Sequence, residues 1–118
     1  MAEVKTHKGG CRCGAVAYEV DSDLDGLIEC NCSHCYRKGL VLAFVTQDAF
    51  RLTADGAQTE YLFNTNKITH LSCETCGVQS FAHGVAPNGQ PMMAVNIRTL
   101  TDIEPFGWTA QRVDGRSF

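Results

Sequence analysis

The sequence predicts a small, mainly β protein, and three observations carry that prediction. Short β-prone runs dominate the chain, turn-forming residues punctuate them, and no long segment has a convincing 3.6-residue apolar period. "AVAYEV" (residues 15–20) is β-prone and ends in the turn-like "DSDLDG". "GLIEC" (26–30) runs straight into a cysteine cluster. "LVLAFVT" (40–46) is a continuous apolar run, as expected of a buried strand. "FRLTAD" and "GAQTEYLFN" predict a hairpin turning at Asp55-Gly56. "KITHLSC" (67–73) alternates and enters a second cysteine cluster. "QSFAHGV" and "MMAVNIR" flank "APNGQP", where Asn88-Gly89 marks another turn. "LTDIEPFGW" (100–108) has room for one helical turn before Pro105.

One domain over residues 1–118 is the simplest organisation. The chain is long enough for a modest core, 44% of it is apolar, and its three prolines form no linker. No repeat or low-complexity segment interrupts it. The net charge is −3 and the pI about 5.7, with no basic run longer than Arg37-Lys38. That balance argues against a nucleic acid as the main partner. No apolar run approaches the ~20 residues of a membrane span. "MAEVKTHKGG" lacks the apolar stretch of a signal peptide, so a cytoplasmic location is expected.

Seven cysteines in a reducing compartment point to metal or catalysis before disulfides, which would favour an even number. They fall as "GCRCG" (Cys11, Cys13), "ECNCSHC" (Cys30, Cys32, Cys35) and "CETCG" (Cys73, Cys76). C-x-C on extended backbone presents two sulfurs on one side. C-x-x-C suits a tight turn, and the glycines after Cys13 and Cys76 permit the positive φ of such a knuckle. Thiolates are soft ligands that suit tetrahedral Zn²⁺. The preferred partition joins Cys11, Cys13, Cys73 and Cys76 in a closed site and leaves Cys30, Cys32 and Cys35 on a second ion with an open position. It divides no pair. A competing partition joins Cys32/Cys35 with Cys73/Cys76, like a zinc ribbon. A third reading makes Cys30 a buried apolar residue and binds one ion only.

"GGCRCGAVAYEV", "CNCSHCYRKG", "CETCGVQSF", "APNGQPMMAVNIRTL" and the closing "DGRSF" resemble the glutathione-dependent formaldehyde-activating enzyme family, which includes centromere protein V. The resemblance runs from about residue 9 to 118. It implies a zinc-stapled β fold of the β-tent type. It implies a structural zinc on Cys11, Cys13, Cys73 and Cys76, and a catalytic zinc on Cys30, Cys32 and Cys35. It implies a carbon–sulfur lyase-type activity on a small thiol and a small aldehyde, as in the condensation of glutathione with formaldehyde. The centromere relative leaves a non-catalytic zinc scaffold as the alternative. A methionine sulfoxide reductase of the B type would need a nucleophilic cysteine away from the metal.

Other residues carry lesser expectations. His34, inside the second cluster, is a candidate proton shuttle or a solvent-facing loop residue. Arg37 and Lys38 are candidates for glutathione's carboxylates or parts of a solvated turn. His70 reads as structural and His83 as a possible fourth ligand. Asn96 faces either a cleft or the backbone. Trp108 and the phenylalanines are expected in the core.

Overall fold

The computed structural model describes residues 3–63 and 68–114. Residues 64, 67 and 115–118, which the sequence reading included in strands and in the closing motif, lie outside them. The protein is mainly β, as expected. The described residues form ten strands, β1 (Lys5–Gly10), β2 (Val16–Ser22), β3 (Leu27–Cys30), β4 (Leu42–Thr46), β5 (Phe50–Asp55), β6 (Gln58–Phe63), β7 (Ile68–Cys73), β8 (Phe81–Val85), β9 (Pro91–Asn96) and β10 (Ala110–Val113), and one short α-helix, α1 (Ser33–Lys38). They form a three-stranded sheet, β1-β2-β5, and a seven-stranded sheet, β10-β3-β4-β9-β8-β7-β6. All neighbours are antiparallel except β10, which runs parallel to β3.

Strand alternation decides what each face buries. Val16, Tyr18 and Val20 point inward from β2. They meet Ala43 and Val45 of β4, Met93 and Val95 of β9, and Phe81 of β8 in the core between the sheets. The intervening residues Leu42, Ala82 and Ala94 face the other side of the large sheet, where they pack with Leu40 and Cys35 of α1. The helix therefore lies on the outer face, away from the small sheet.

Three expectations are corrected. Asp55-Gly56 is not a hairpin turn, because β5 pairs with β2 while β6 pairs with β7. The chain crosses between sheets there. The Gly56 N–H donates to the Ala15 carbonyl at 2.8 Å. A Cβ on Gly56 would lie 2.5 Å from that same oxygen, so glycine serves close approach and not a turn. The segment before Pro105 holds a 3-10 turn at Ile97–Thr99, then bends instead of a helical turn. The aromatic expectation fails for Phe44 and Phe106, which are exposed, while Phe81 is buried and Phe50 and Trp108 pack against the core. The Asn88-Gly89 turn does join β8 to β9, closed by the Gly89 N–H on the Ala86 carbonyl. Among the described residues, no helix is long and apolar enough to cross a membrane.

Candidate metal centres and an adjoining cavity

The first cluster is built from two matching knuckles. In one, the Cys11 N–H donates to the Val16 carbonyl and the Val16 N–H to the Cys11 sulfur. In the other, the Cys73 N–H donates to Val78 and the Gly77 N–H to Cys73. Gly14 and Gly77 take φ of 83° and 80°, a conformation that side-chain-bearing residues seldom adopt. The four sulfurs of Cys11, Cys13, Cys73 and Cys76 lie within 4.8 Å of one another. The Cys11–Cys13 and Cys13–Cys73 sulfur separations are both 3.6 Å, too long for a disulfide. They are close to the ~3.8 Å edge of a tetrahedron with ~2.3 Å zinc–sulfur bonds. The four residues can hold a metal ion. Backbone N–H groups of Val78 and Cys13 aimed at the Cys76 sulfur hold its pKa down at about 6, as suits a thiolate ligand. The site joins the small sheet, through the β1–β2 connection, to the large sheet through the end of β7.

The second cluster is local. Cys30 ends β3, Cys32 caps α1 and Cys35 lies within it. Their sulfurs also fall within 4.8 Å of one another and can hold an ion. Sequence reasoning expected a tight turn here, and the structure has a six-residue helix. The Cys32 sulfur accepts the Cys35 N–H at 3.3 Å, so a candidate ligand doubles as the N-cap. Gly39, left-handed with φ 68°, closes the other end. Burial pushes the Cys32 thiol up, but N–H bonds from the helix start and the neighbouring thiols outweigh it and lower its pKa. Burial raises that of Cys35. All seven cysteines fall in one cluster or the other, four and three. The ribbon-like pairing is not formed, Cys30 is not an isolated core residue, and no cysteine stands apart as a separate nucleophile.

A cavity of about 500 Å³ opens beside the second cluster. Cys30, Cys35, Tyr36 and Leu40 line it, with Arg98 and Arg112 across from them. Glu29 and Asp114 also reach it. Neither arginine stood out in the sequence. The parallel pairing of β10 beside β3 delivers Arg112, and the 3-10 turn after β9 delivers Arg98. The one sequence cue was Arg98 falling directly after an apolar strand.

The weaker candidates go elsewhere. Lys38 does not reach the cavity. Its Nζ donates to Gln79 Oε1 at 2.6 Å and to Ser72 Oγ at 3.1 Å, tying α1 to the sheet. Because lysine only donates, Gln79 must present its Nε2 to His70 Nδ1, 3.0 Å away. That fixes His70 as the acceptor at Nδ1. Burial, then the charges of His34 and Lys38, hold the pKa of His70 down at about 4. His70 is thus a buried neutral residue of the framework. His34 stacks on Tyr61 and tilts against His70, with ring centroids 5.4 and 4.0 Å apart. It lines a groove with Arg37 and Tyr61 on the other side of the helix, not the cavity beside the sulfurs. Arg37 donates to the Ser33 carbonyl within α1. His83 is exposed on β8 and belongs to neither cluster. Asn96 is buried and bonds to backbone, donating to the Gln79 carbonyl and accepting from the Arg98 N–H.

A family model for the glutathione-dependent formaldehyde-activating enzyme matches residues 6–112. The chain belongs to that family. A crystal structure of a Rhodobacter sphaeroides protein is similar to it, with 28% identity and a TM-score of 0.76. That likeness covers 90% of this chain and 99% of the other. The family is named for an enzyme activity that uses glutathione and formaldehyde, and both cysteine clusters are sites able to hold metal.

Proposed function

We propose that the protein is a zinc-dependent enzyme of the carbon–sulfur lyase type, joining a small thiol to a small aldehyde or cleaving the adduct. Glutathione and formaldehyde are the pair suggested by family membership. The observation that carries the reading is a three-sulfur cluster whose Cys30 and Cys35 border an open cavity. In this reading Cys11, Cys13, Cys73 and Cys76 hold a structural zinc. Cys30, Cys32 and Cys35 hold the second ion, which leaves a coordination position free.

Zinc bound there would supply one thing: a lower pKa for a thiol in that position, from the free value of ~8.5. Three thiolates exceed the charge of one Zn²⁺, so carbonyl polarisation is the weaker role for this ligand set. The protein's own residues do the rest. The helix-start N–H groups lower the pKa of Cys32 and so favour its thiolate form. Leu40 and Tyr36 line the cavity beside the sulfurs. The reaction is an addition. The sulfur pair forms the S–C bond, the carbonyl π pair moves to oxygen, and the proton lost by the thiol is balanced by one gained there. No histidine lines the cavity among the described residues, so this proton exchanges with cavity water.

The test is metal content by elemental analysis with the rate of hemithioacetal formation, for wild type and Cys32→Ser. The expected result is two zinc ions and acceleration over buffer for wild type, and one ion with no acceleration for the variant. Two tightly held ions with no acceleration for any small aldehyde would leave a non-catalytic zinc module.

A further inference from the structure

The cavity holds a side chain that the thiol–aldehyde reading does not use. Arg98 projects from the 3-10 turn Ile97–Thr99 and lines the same cavity as Cys30 and Cys35. Among the described residues its guanidinium makes no ion pair. It is nonetheless held. Its Cζ lies 5.2 Å from the ring centroid of Trp108 and 5.6 Å from that of Phe106. Those two rings also touch each other, with centroids 5.7 Å apart. Phe106 is 77% exposed and has φ of +64°. A phenylalanine seldom adopts the left-handed region, and so exposed a ring recovers little of that strain by burial. What the ring does contact is Trp108 and Arg98. This aromatic bracket, with both rings on one side of it, holds the guanidinium while its N–H donors remain able to meet a ligand.

The other charges facing the cavity are Arg112, Glu29 and Asp114. Arg112 and Glu29 are register partners in the β10–β3 pairing, so a carboxylate-bearing residue neighbours Arg112 in the sheet. Asp114 accepts from Asn31 Nδ2 at 3.0 Å. Among the described residues that line the cavity, Arg98 is the cation without a register-paired carboxylate. It also matters what a substrate would meet. Three thiolates around Zn²⁺ carry a net −1, which repels an anionic thiol unless a cation stands opposite.

We infer that Arg98 is the specificity-determining residue of this cavity: it receives a carboxylate of the thiol substrate, with Phe106 and Trp108 as positioning residues, so the protein selects acidic small thiols over neutral ones. The inference rests on the thiol–aldehyde reading of the cavity. Its chemistry is recognition only, a charge-assisted hydrogen bond from guanidinium to carboxylate.

The experiment is calorimetric titration of the zinc-loaded protein with 3-mercaptopropionate and, separately, with its methyl ester. The quantity read is the ratio of the two dissociation constants, compared between proteins so that the differing acidity of the two thiols cancels. Arg98→Gln should lower the preference for the acid roughly tenfold, the worth of one charge-assisted hydrogen bond. Phe106→Ala, which keeps the charge and loosens the bracket, should lower it by a smaller factor. Arg112→Gln should change it least. A ratio unchanged in Arg98→Gln, or a larger change in Arg112→Gln, overturns the assignment while ester binding still upholds the thiol site. Failure of wild type to bind either thiol would instead overturn the thiol site itself, and the assignment with it. Should Arg98→Gln not fold, the Phe106→Ala ratio decides.

Discussion

Replacing Gln79 by Met tests the polar framework beneath the second cluster. Gln79 is 3% exposed, and its amide joins Lys38 to His70. Methionine has nearly the same volume, so little cavity forms and the effect is chiefly polar. Lys38 keeps Ser72 and can turn its ammonium to solvent, a loss of about 1 kcal/mol. His70 is 6% exposed and cannot turn away, so its Nδ1 loses the donor that Gln79 supplies. That costs about 1–3 kcal/mol. The sum, about 2–4 kcal/mol, corresponds to a fall of roughly 10 °C in melting temperature for a chain of this size. The assay is urea unfolding of the zinc-loaded protein, extended to a double-mutant cycle with His70→Leu. Removing that acceptor should make the double variant at least ~1 kcal/mol more stable than the two single losses added together. A Gln79→Met variant within ~0.5 kcal/mol of wild type, or strict additivity in the cycle, would refute the claim that this amide satisfies a buried histidine.

The two cysteine clusters should respond differently to loss of one ligand. Cys73→Ser should abolish soluble folded protein, because a structural zinc contributes folding free energy on the order of 10 kcal/mol; Cys32→Ser should stay folded by circular dichroism and lose one ion. A stable Cys73→Ser variant, or a globally unfolded Cys32→Ser, would contradict the assignment of roles. Stability should also fall on acidification. His70 has a folded pKa of about 4 against the usual 6.5, so between those values the unfolded chain binds more protons. Its contribution is complete above about pH 6.5 and is lost as pH falls toward 4, roughly 3 kcal/mol in all. Denaturation of wild type and His70→Leu at pH 7.5 and 5 should show a shallower pH dependence in the variant; equal slopes would contradict it.

Much of the site was readable because its chemistry is written in cysteine spacing. Both clusters follow from short local patterns, and the structure brings the sulfurs together as the preferred partition required. The strands that carry the core were readable for the same kind of reason: β2, β4 and β9 have apolar residues at period two or in runs. What escaped was decided by distant partners. β1, "KTHKGG", and β10, "AQRV", are polar strands that exist because β2 and β3 supply their hydrogen bonds. Asp55-Gly56 has hairpin chemistry, yet the flanking strands pair in different sheets, which no local signal records. The helix α1 is too short to display a period. Its signs were the basic Arg37-Lys38 followed by Gly39 at the C-cap, and a sulfur in place of the usual oxygen at the N-cap.

The placement of the clusters gives a physical reason why one chain would keep two of them. The four-sulfur cluster draws one pair from the β1–β2 connection and one from the end of β7, strands of different sheets. An ion there would cross-link the two walls of the core, and every residue between them would feel its loss. The three-sulfur cluster draws on Cys30, Cys32 and Cys35, all within one strand end and the helix that follows. An ion there would link nothing that the chain does not already link. Its position cannot be explained by a contribution to holding the sheets together, and it borders the cavity that Arg98 and Arg112 also line. The opposite face of α1 is tied down by Lys38, Gln79 and His70, so the helix meets the cavity from a fixed base. A cluster that staples nothing, mounted on an anchored helix at the edge of a charged cavity, supports the proposal that this site binds a substrate that comes and goes.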